Sequence, residues 1–177
     1  MIGEIRDDES AAIAINAALT GHSVFSTIHA IDPVGVLERL CQSFNVDRMT
    51  AAQALKLVLS QRLVRRLCPL CKEVTPAKAE DLRFFPETDI ANPVSARRVG
   101  CPACRHTGYA GRVAIAEVLM FDPVMVALVE NREPASVLRA RNRERGFMPL
   151  GQQASILAQT GEITFAEAKL LLPTAQI

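Results

Sequence analysis

The chain contains no tryptophan and a single tyrosine among 177 residues, so aromatic side chains are too few to form a stacking platform for single-stranded nucleic acid. Its 20 Lys and Arg nearly balance 19 Asp and Glu, leaving a net charge of +1. No strong field therefore favours DNA or an anionic membrane as the main partner. Charges such as Lys56 and Arg62 interrupt the apolar stretches, and no run reaches the roughly 18 residues of a spanning helix. Any membrane association is expected to pass through another protein. No internal repeat and no low-complexity segment is present. The opening residues show no secretory signal pattern and the cysteines number five, an odd count. A reducing compartment is expected rather than a disulfide framework.

What is present centres on two knuckles of the same form, Cys68-Pro69-Leu70-Cys71 and Cys101-Pro102-Ala103-Cys104. Each puts two thiolates on a tight turn, and four soft sulfurs suit a closed tetrahedral site, with zinc the expected ion. A complete tetracysteine shell leaves no open position for water or substrate, so the metal is expected to hold structure. The 29 residues between the pairs exceed the roughly 15–20 of a common zinc ribbon. The metal thus closes a small subdomain. Such a subdomain is expected to depend on its ion, because zinc binding to isolated peptide sites contributes about 10–16 kcal/mol. His106 lies beside the second knuckle but is redundant once four cysteines are counted.

Elsewhere strands and helices are expected to alternate. Residues 1–4 read as the end of a buried strand. Asp7 is placed to cap a helix from Asp8 to Leu19, with Asp8 and Glu9 at its positive end and Gly21 after it. The alanine content of that helix predicts close packing on a sheet. Residues 24–28 read as a short buried strand, and Asp32-Pro33 as a cap followed by Pro at the first helical position. Val34, Leu37, Leu40, Cys41 and Phe44 then recur at helical spacing, with Cys41 an inert thiol among apolar neighbours. A helix over 50–59, a strand over 62–67 and a returning strand over 112–119 follow. Asp122-Pro123 repeats the capping device. Helices are expected over 134–145, 149–159 and 165–172, the last opened by a Thr164-x-x-Glu167 capping box and ending before Pro173. The alternation predicts an α/β fold with a mainly parallel sheet. Three segments follow: a core over 1–67, a metal-binding insertion over 68–111, and a returning strand with helices over 112–177. Arg139, Arg141, Arg143 and Arg145 read as a solvated helix face near a C-terminal dipole, with a subunit or membrane-protein contact as the alternative.

Glu4 follows the end of the first expected strand, where a carboxylate can orient a magnesium-bound or attacking water. His22 and His29 bracket the second. Seven positions apart, they cannot share a face of a regular strand; His29 lies at the carboxyl end where ligands bind, and His22, at the entry end, reads as structural or at a subunit boundary.

Four segments carry a family resemblance. Gly3-Glu4-Ile5-Arg6-Asp7-Asp8-Glu9-Ser10 resembles the Walker B segment of the secretion ATPases that drive type II secretion and type IV pilus assembly. Thr20-Gly21-His22-Ser23-Val24-Phe25-Ser26-Thr27-Ile28-His29 is similar to their His box. The run from Gln61 to Cys71 and the run from Cys101 to Arg112 resemble the entry and exit of their metal-binding insertion. Ser10 and Ala30 stand where the family usually has Thr. The resemblance implies the C-terminal part of a RecA-like P-loop ATPase domain with a tetracysteine insertion and a helical tail. It implies Glu4 and His29 as catalytic residues, Gly3, Arg6, Asp7, Thr27 and His22 as nucleotide-site residues, and Cys68, Cys71, Cys101 and Cys104 as zinc ligands.

The implied complete protein is a cytoplasmic hexamer using ATP and Mg2+ to extract pilins or pseudopilins. It would lie against the inner membrane through platform and assembly proteins. Retraction ATPases generally lack the four cysteines, which places this chain on the assembly or secretion side. None of its four lysines follows a glycine, so the G-x-x-x-x-G-K-[ST] phosphate loop is absent. The family's Asp box and arginine fingers are absent too, and this polypeptide alone is expected to show no appreciable hydrolysis. Two readings compete. One is a zinc-ribbon nucleic-acid module using Arg65, Arg66, Arg97, Arg98 and Arg105; the other is a non-enzymatic, zinc-stapled adaptor.

Overall fold

The computed structural model describes residues 1–85 and 89–172. In chain order the elements are α1 (Asp8–Leu19), α2 (Pro33–Ser43), α3 (Arg48–Ala54), β1 (Leu57–Leu67), β2 (Glu73–Pro76) and α4 (Ala79–Leu82). There follow β3 (Val94–Arg97), a single 3-10 turn (Pro102–Cys104), β4 (Tyr109–Met120), α5 (Pro123–Glu130), α6 (Ala135–Glu144), α7 (Leu150–Gln159) and α8 (Phe165–Lys169). They gather into two compact units, one of residues 1–60 and 117–147, the other of residues 61–116 and 148–177.

The first unit is built around helices. Ala11, Val34, Leu37, Leu40, Phe44, Ala51, Leu119, Met125, Val129 and Leu138 form its core. Helix α1 starts and stops where expected: Asp7 Oδ1 accepts the Ser10 amide at 2.8 Å, and Gly21 follows with φ +92°. Its alanine face packs on α3, however, rather than on a sheet. Both Asp-Pro caps form. Asp32 Oδ1 accepts from Gly35 N at 2.7 Å and Asp122 Oδ1 from Met125 N at 2.8 Å. Each cap's second oxygen meets an arginine of α6 or of its C-cap. Arg139 Nε donates to Asp32 Oδ2 at 2.7 Å, and Arg145 Nη1 lies 3.1 Å from Asp122 Oδ2. Arg141 pairs with Glu144 one turn on. Two of the four arginines expected on a solvated face, Arg139 and Arg145, therefore tie α6 and its C-cap to two other helices, while Arg143 is exposed as expected. Arg48 donates to the carbonyls of Val129, in the last turn of α5, at 3.2 Å and of Glu133, in the loop beyond it, at 3.1 Å.

The two strands expected at residues 1–4 and 24–28 do not form. The segments lie side by side, with Ile2 N donating to Phe25 O at 2.9 Å and Ile5 N to Thr27 O at 2.8 Å. Three residues advance on one side against two on the other, which breaks the even spacing of a parallel ladder. Phe25 is 71% exposed, so the second segment is not buried either. Among the described residues the strands form two two-stranded sheets, β1 with β4 and β2 antiparallel to β3, in place of the mainly parallel sheet expected. The helix expected over 50–59 stops at Ala54, because Leu55 turns extended (φ −69°, ψ 135°) and Leu57–Leu67 is one strand. Pairing with β4 overrides the helix preference of the leucines. Strand β4 likewise exceeds the expected 112–119 at both ends.

In the second unit Val64, Ile115, Leu150, Ala154, Ala158, Ile163, Phe165 and Ala168 form the core. Gln153 of α7 behaves toward β4 as a strand residue would: its Oε1 accepts from Ala116 N at 3.2 Å, and its Nε2 donates to Ala116 O at 2.7 Å and Met148 O at 2.8 Å. Helix α8 ends at Lys169, short of the expected 172; Pro173 lies outside the described residues. Only half of its capping box forms. Thr164 Oγ1 accepts the Glu167 amide at 3.1 Å, while the Glu167 carboxylate holds Arg65.

Candidate nucleotide and metal sites

In the first unit, the segment 1–6 and the loop 27–29 bring Glu4 and His29 together. His29 Nε2 lies 3.0 Å from Glu4 Oε1, and Arg6 Nε donates to Glu4 Oε2 at 2.6 Å. Thr27 Oγ1 donates to Gly3 O at 2.8 Å, which pins the two segments beside the carboxylate. The Glu4 side chain is 19% exposed, whereas His29 is 86% exposed and presents its ring to solvent. The Arg6 hydrogen bond holds the Glu4 carboxyl below its ordinary range. The charges of Arg6, His29 and Arg39 act in the same direction, against partial desolvation. Glu4 is therefore an ionised acceptor. Asp7 is occupied locally at the N-terminus of α1, and hydrogen bonding to Ser10 lowers its pKa. His22 stands apart from this cluster, with Nδ1 3.1 Å from Thr20 Oγ1 at the end of α1.

In the second unit the four knuckle cysteines converge. Their sulfurs all lie within 4.8 Å of one another. Sγ separations are 4.0 Å for Cys68–Cys101, 3.9 Å for Cys71–Cys104 and 3.8 Å for Cys101–Cys104. A tetrahedron with metal–sulfur bonds of about 2.3 Å has edges of about 3.8 Å, whereas a disulfide needs about 2.05 Å. The donor set thus fits a metal ion of zinc's size. Strand β1 delivers Cys68, and Cys68 N donates to Gly108 O at 3.0 Å, joining one knuckle to the other. The amides of Gly100, Cys101 and Gly108 point at sulfur, the first at Cys71 (3.3 Å) and the others at Cys104 (3.2 Å each). The Cys101 and Gly108 amides pull the Cys104 thiol down to about 6, while burial, only partly offset by the Gly100 amide, pushes Cys71 up to about 11. His106 is outside the cluster.

Sequence reasoning missed Gly100, and it read Gly108 only as part of the exit motif, not for its role in shaping this site. A Cβ on Gly100 (φ +115°) would lie 2.7 Å from His106 O, and one on Gly108 (φ +75°) 2.6 Å from Arg98 Cβ. Their signal was a glycine directly before the second knuckle and another four residues after it. Missed also was Lys72, whose Nζ donates to Gly161 O at 2.6 Å and ties the first knuckle to the loop before α8.

A family profile described as type II/IV secretion system protein matches residues 1–170. The type II secretion system ATPase E of Vibrio cholerae is 42% identical over 131 residues, 74% of this chain and 26% of its own length. The type IV pilus assembly ATPase PilB of Myxococcus xanthus is 38% identical over 172 residues, 94% of this chain and 30% of its own. The chain thus spans about a third or less of the curated relatives it matches. The crystal structure of the Legionella pneumophila ATPase DotB superposes with a TM-score of 0.63 at 22% identity, over 96% of this chain and 37% of that one. That likeness concerns the fold.

Proposed function

This chain belongs to the type II/IV secretion system protein family, and from that premise we propose that it is the C-terminal part of a hexameric cytoplasmic ATPase motor. In this reading the motor powers assembly of a type II secretion pseudopilus or a type IV pilus, and ATP hydrolysis is coupled to extraction of pilins or pseudopilins from the inner membrane. The observation that carries it is the Glu4–His29 pair, an ionised carboxylate 3.0 Å from an exposed imidazole.

Bound ATP with Mg2+ would supply the scissile phosphoanhydride and the cation that offsets its charge. Glu4 orients the attacking water through whichever oxygen its neighbours release, since Arg6 and His29 each hold one at rest. His29 is the group that reaches the terminal phosphate, and Thr27 fixes its loop through Gly3. Gly3, Arg6, Asp7 and His22 complete the nucleotide-site assignment, with His22 at a subunit boundary. The phosphate-binding loop and the arginine fingers are not among these 177 residues, so this polypeptide alone does not turn over ATP. Cys68, Cys71, Cys101 and Cys104 hold a structural zinc ion that stiffens the motor or its docking on membrane-platform proteins.

The test is a hybrid in which this chain replaces the matching part of the V. cholerae ATPase. Glu4→Gln is expected to lower its ATP turnover by roughly 10²-fold or more while nucleotide binding persists. Equal turnover in wild-type and Glu4→Gln hybrids would remove Glu4, and the reading built on it.

A further inference from the structure

Beside the metal cluster, the second unit carries an open groove of about 600 Å³. Its floor is apolar, from Ala96 and Phe165, and Leu170 stands at its edge 78% exposed. Arg65, Arg97 and Arg98 line it against a single carboxylate, Glu167. Two of these guanidinium groups lie over the Tyr109 ring, Arg65 at 4.4 Å and Arg98 at 5.7 Å from its centroid. Arg65 is engaged by Glu167 and Arg97 by Glu73, whereas Arg98 has no carboxylate partner among the described residues. The surrounding unit has the same sign: it holds eleven Lys and Arg against seven Asp and Glu, and the other unit nine against twelve.

We propose that this groove docks an acidic peptide segment of a partner protein, with carboxylates on Arg98 and Arg97 and one aliphatic or aromatic anchor against Leu170 and Phe165. Stacking on Tyr109 restricts the Arg65 and Arg98 side chains before any ligand arrives, so less side-chain entropy is lost on binding. A planar guanidinium offers a carboxylate two parallel donors. Nucleic acid fits less well, because the groove's one tyrosine ring already carries guanidinium groups where a base would stack. A bilayer fits less well because Leu170 is the one large aliphatic side chain of the lining that is exposed, whereas Ala96 and Phe165 are buried at the floor. The proposal does not depend on nucleotide chemistry at Glu4, and its failure would leave that reading untouched.

The experiment uses the metal-loaded chain on an array of 12-residue peptides of graded acidity. Phosphatidylglycerol vesicles and a 20-nucleotide single-stranded DNA are assayed in parallel. The strongest binders are expected to carry Asp or Glu on both sides of a Leu or Phe. Arg98→Gln and Leu170→Ser should each weaken them about tenfold, and Arg143→Gln, in the other unit, should not. Metal content and melting temperature confirm that each variant is folded. The proposal is overturned if no peptide binds at low salt, if binders show no acidic enrichment, or if both groove variants bind as wild type. Tighter Arg98-dependent binding to the vesicles or the DNA reassigns the groove to lipid or nucleic acid. Arg98-dependent self-association reassigns it to a second copy of the chain.

Discussion

Replacing Asp32 separates two interactions that one side chain performs at once. Its Oδ1 caps α2 through Gly35 N at 2.7 Å, and its Oδ2 accepts from Arg139 Nε at 2.7 Å, with the two side chains 25% and 39% exposed. Losing the cap costs about 1 kcal/mol. Losing an ion pair this exposed costs about 0.5 kcal/mol. Asp32→Ala should therefore destabilise the protein by about 1.5 kcal/mol, and a chain of this size loses roughly 2–4 °C of melting temperature per kcal/mol, so a drop of about 3–6 °C is expected. Asp32→Asn keeps an equally good cap but sets an amide NH2 where Oδ2 accepted from Arg139, so it loses the ion pair with its hydrogen bond and should lower the melting temperature by no more than about 2 °C. Arg139→Met should cost about as much as Asp32→Asn, and the double variant less than the sum of the two. The assay is thermal unfolding of metal-loaded protein followed by circular dichroism. An Asp32→Asn variant as unstable as Asp32→Ala would refute the division. Fully additive Asn and Met changes would show that the ion pair contributes nothing.

Further outcomes follow from the two sites. Glu4 has a folded-state pKa below its ordinary 4.5 through Arg6, so its favourable contribution is present above the unfolded value and is lost as pH falls through the folded one. A carboxyl NMR titration should place its midpoint under 4.5, and Arg6→Gln should move it upward; an unmoved midpoint removes Arg6 as the cause. Chelation should release one metal ion per chain and disorder the β2–β3 ribbon, read by metal analysis and amide exchange. Unchanged exchange after complete metal loss would show that the ion is not structural. Gly108→Ala should weaken metal binding without touching a ligand, since the new Cβ falls 2.6 Å from Arg98 Cβ, and wild-type affinity would contradict that crowding. Gln153→Leu leaves both polar groups of Ala116 without their partner and should cost roughly 1–3 kcal/mol, measured by urea unfolding; a loss below about 0.5 kcal/mol would mean water replaces the amide.

Features that depend on near neighbours were readable in the sequence. Asp7, Asp32 and Asp122 cap the helices they precede, because the cap acceptor and its amide are three residues apart. The knuckles are local turns, and their common form pointed to a shared site before any fold was known. What escaped was decided by distant partners. Leucines at 55–59 suit helix or strand equally, and pairing with β4 decided. Arg139 and Asp32 are separated by 107 positions, so no helical period exposes their contact. Glu167 completes a capping motif on paper, yet it turns to Arg65, 102 residues earlier. In the Glu4 cluster, family resemblance pointed to Glu4 and His29, but Arg6 as the partner of the second carboxylate oxygen emerged only from the geometry.

The Gln153 side chain also bears on how this protein avoids its own kind. A strand flanked on one side only offers its other rim to any passing chain, and such rims are templates for sheet extension. By taking both polar groups of Ala116 into one amide, Gln153 blocks that rim where a foreign strand would need to anchor, and it does so from a helix that cannot itself be extended. Gln153→Leu should therefore raise aggregation as well as lower stability, an effect expected first in crowded, newly synthesised chains.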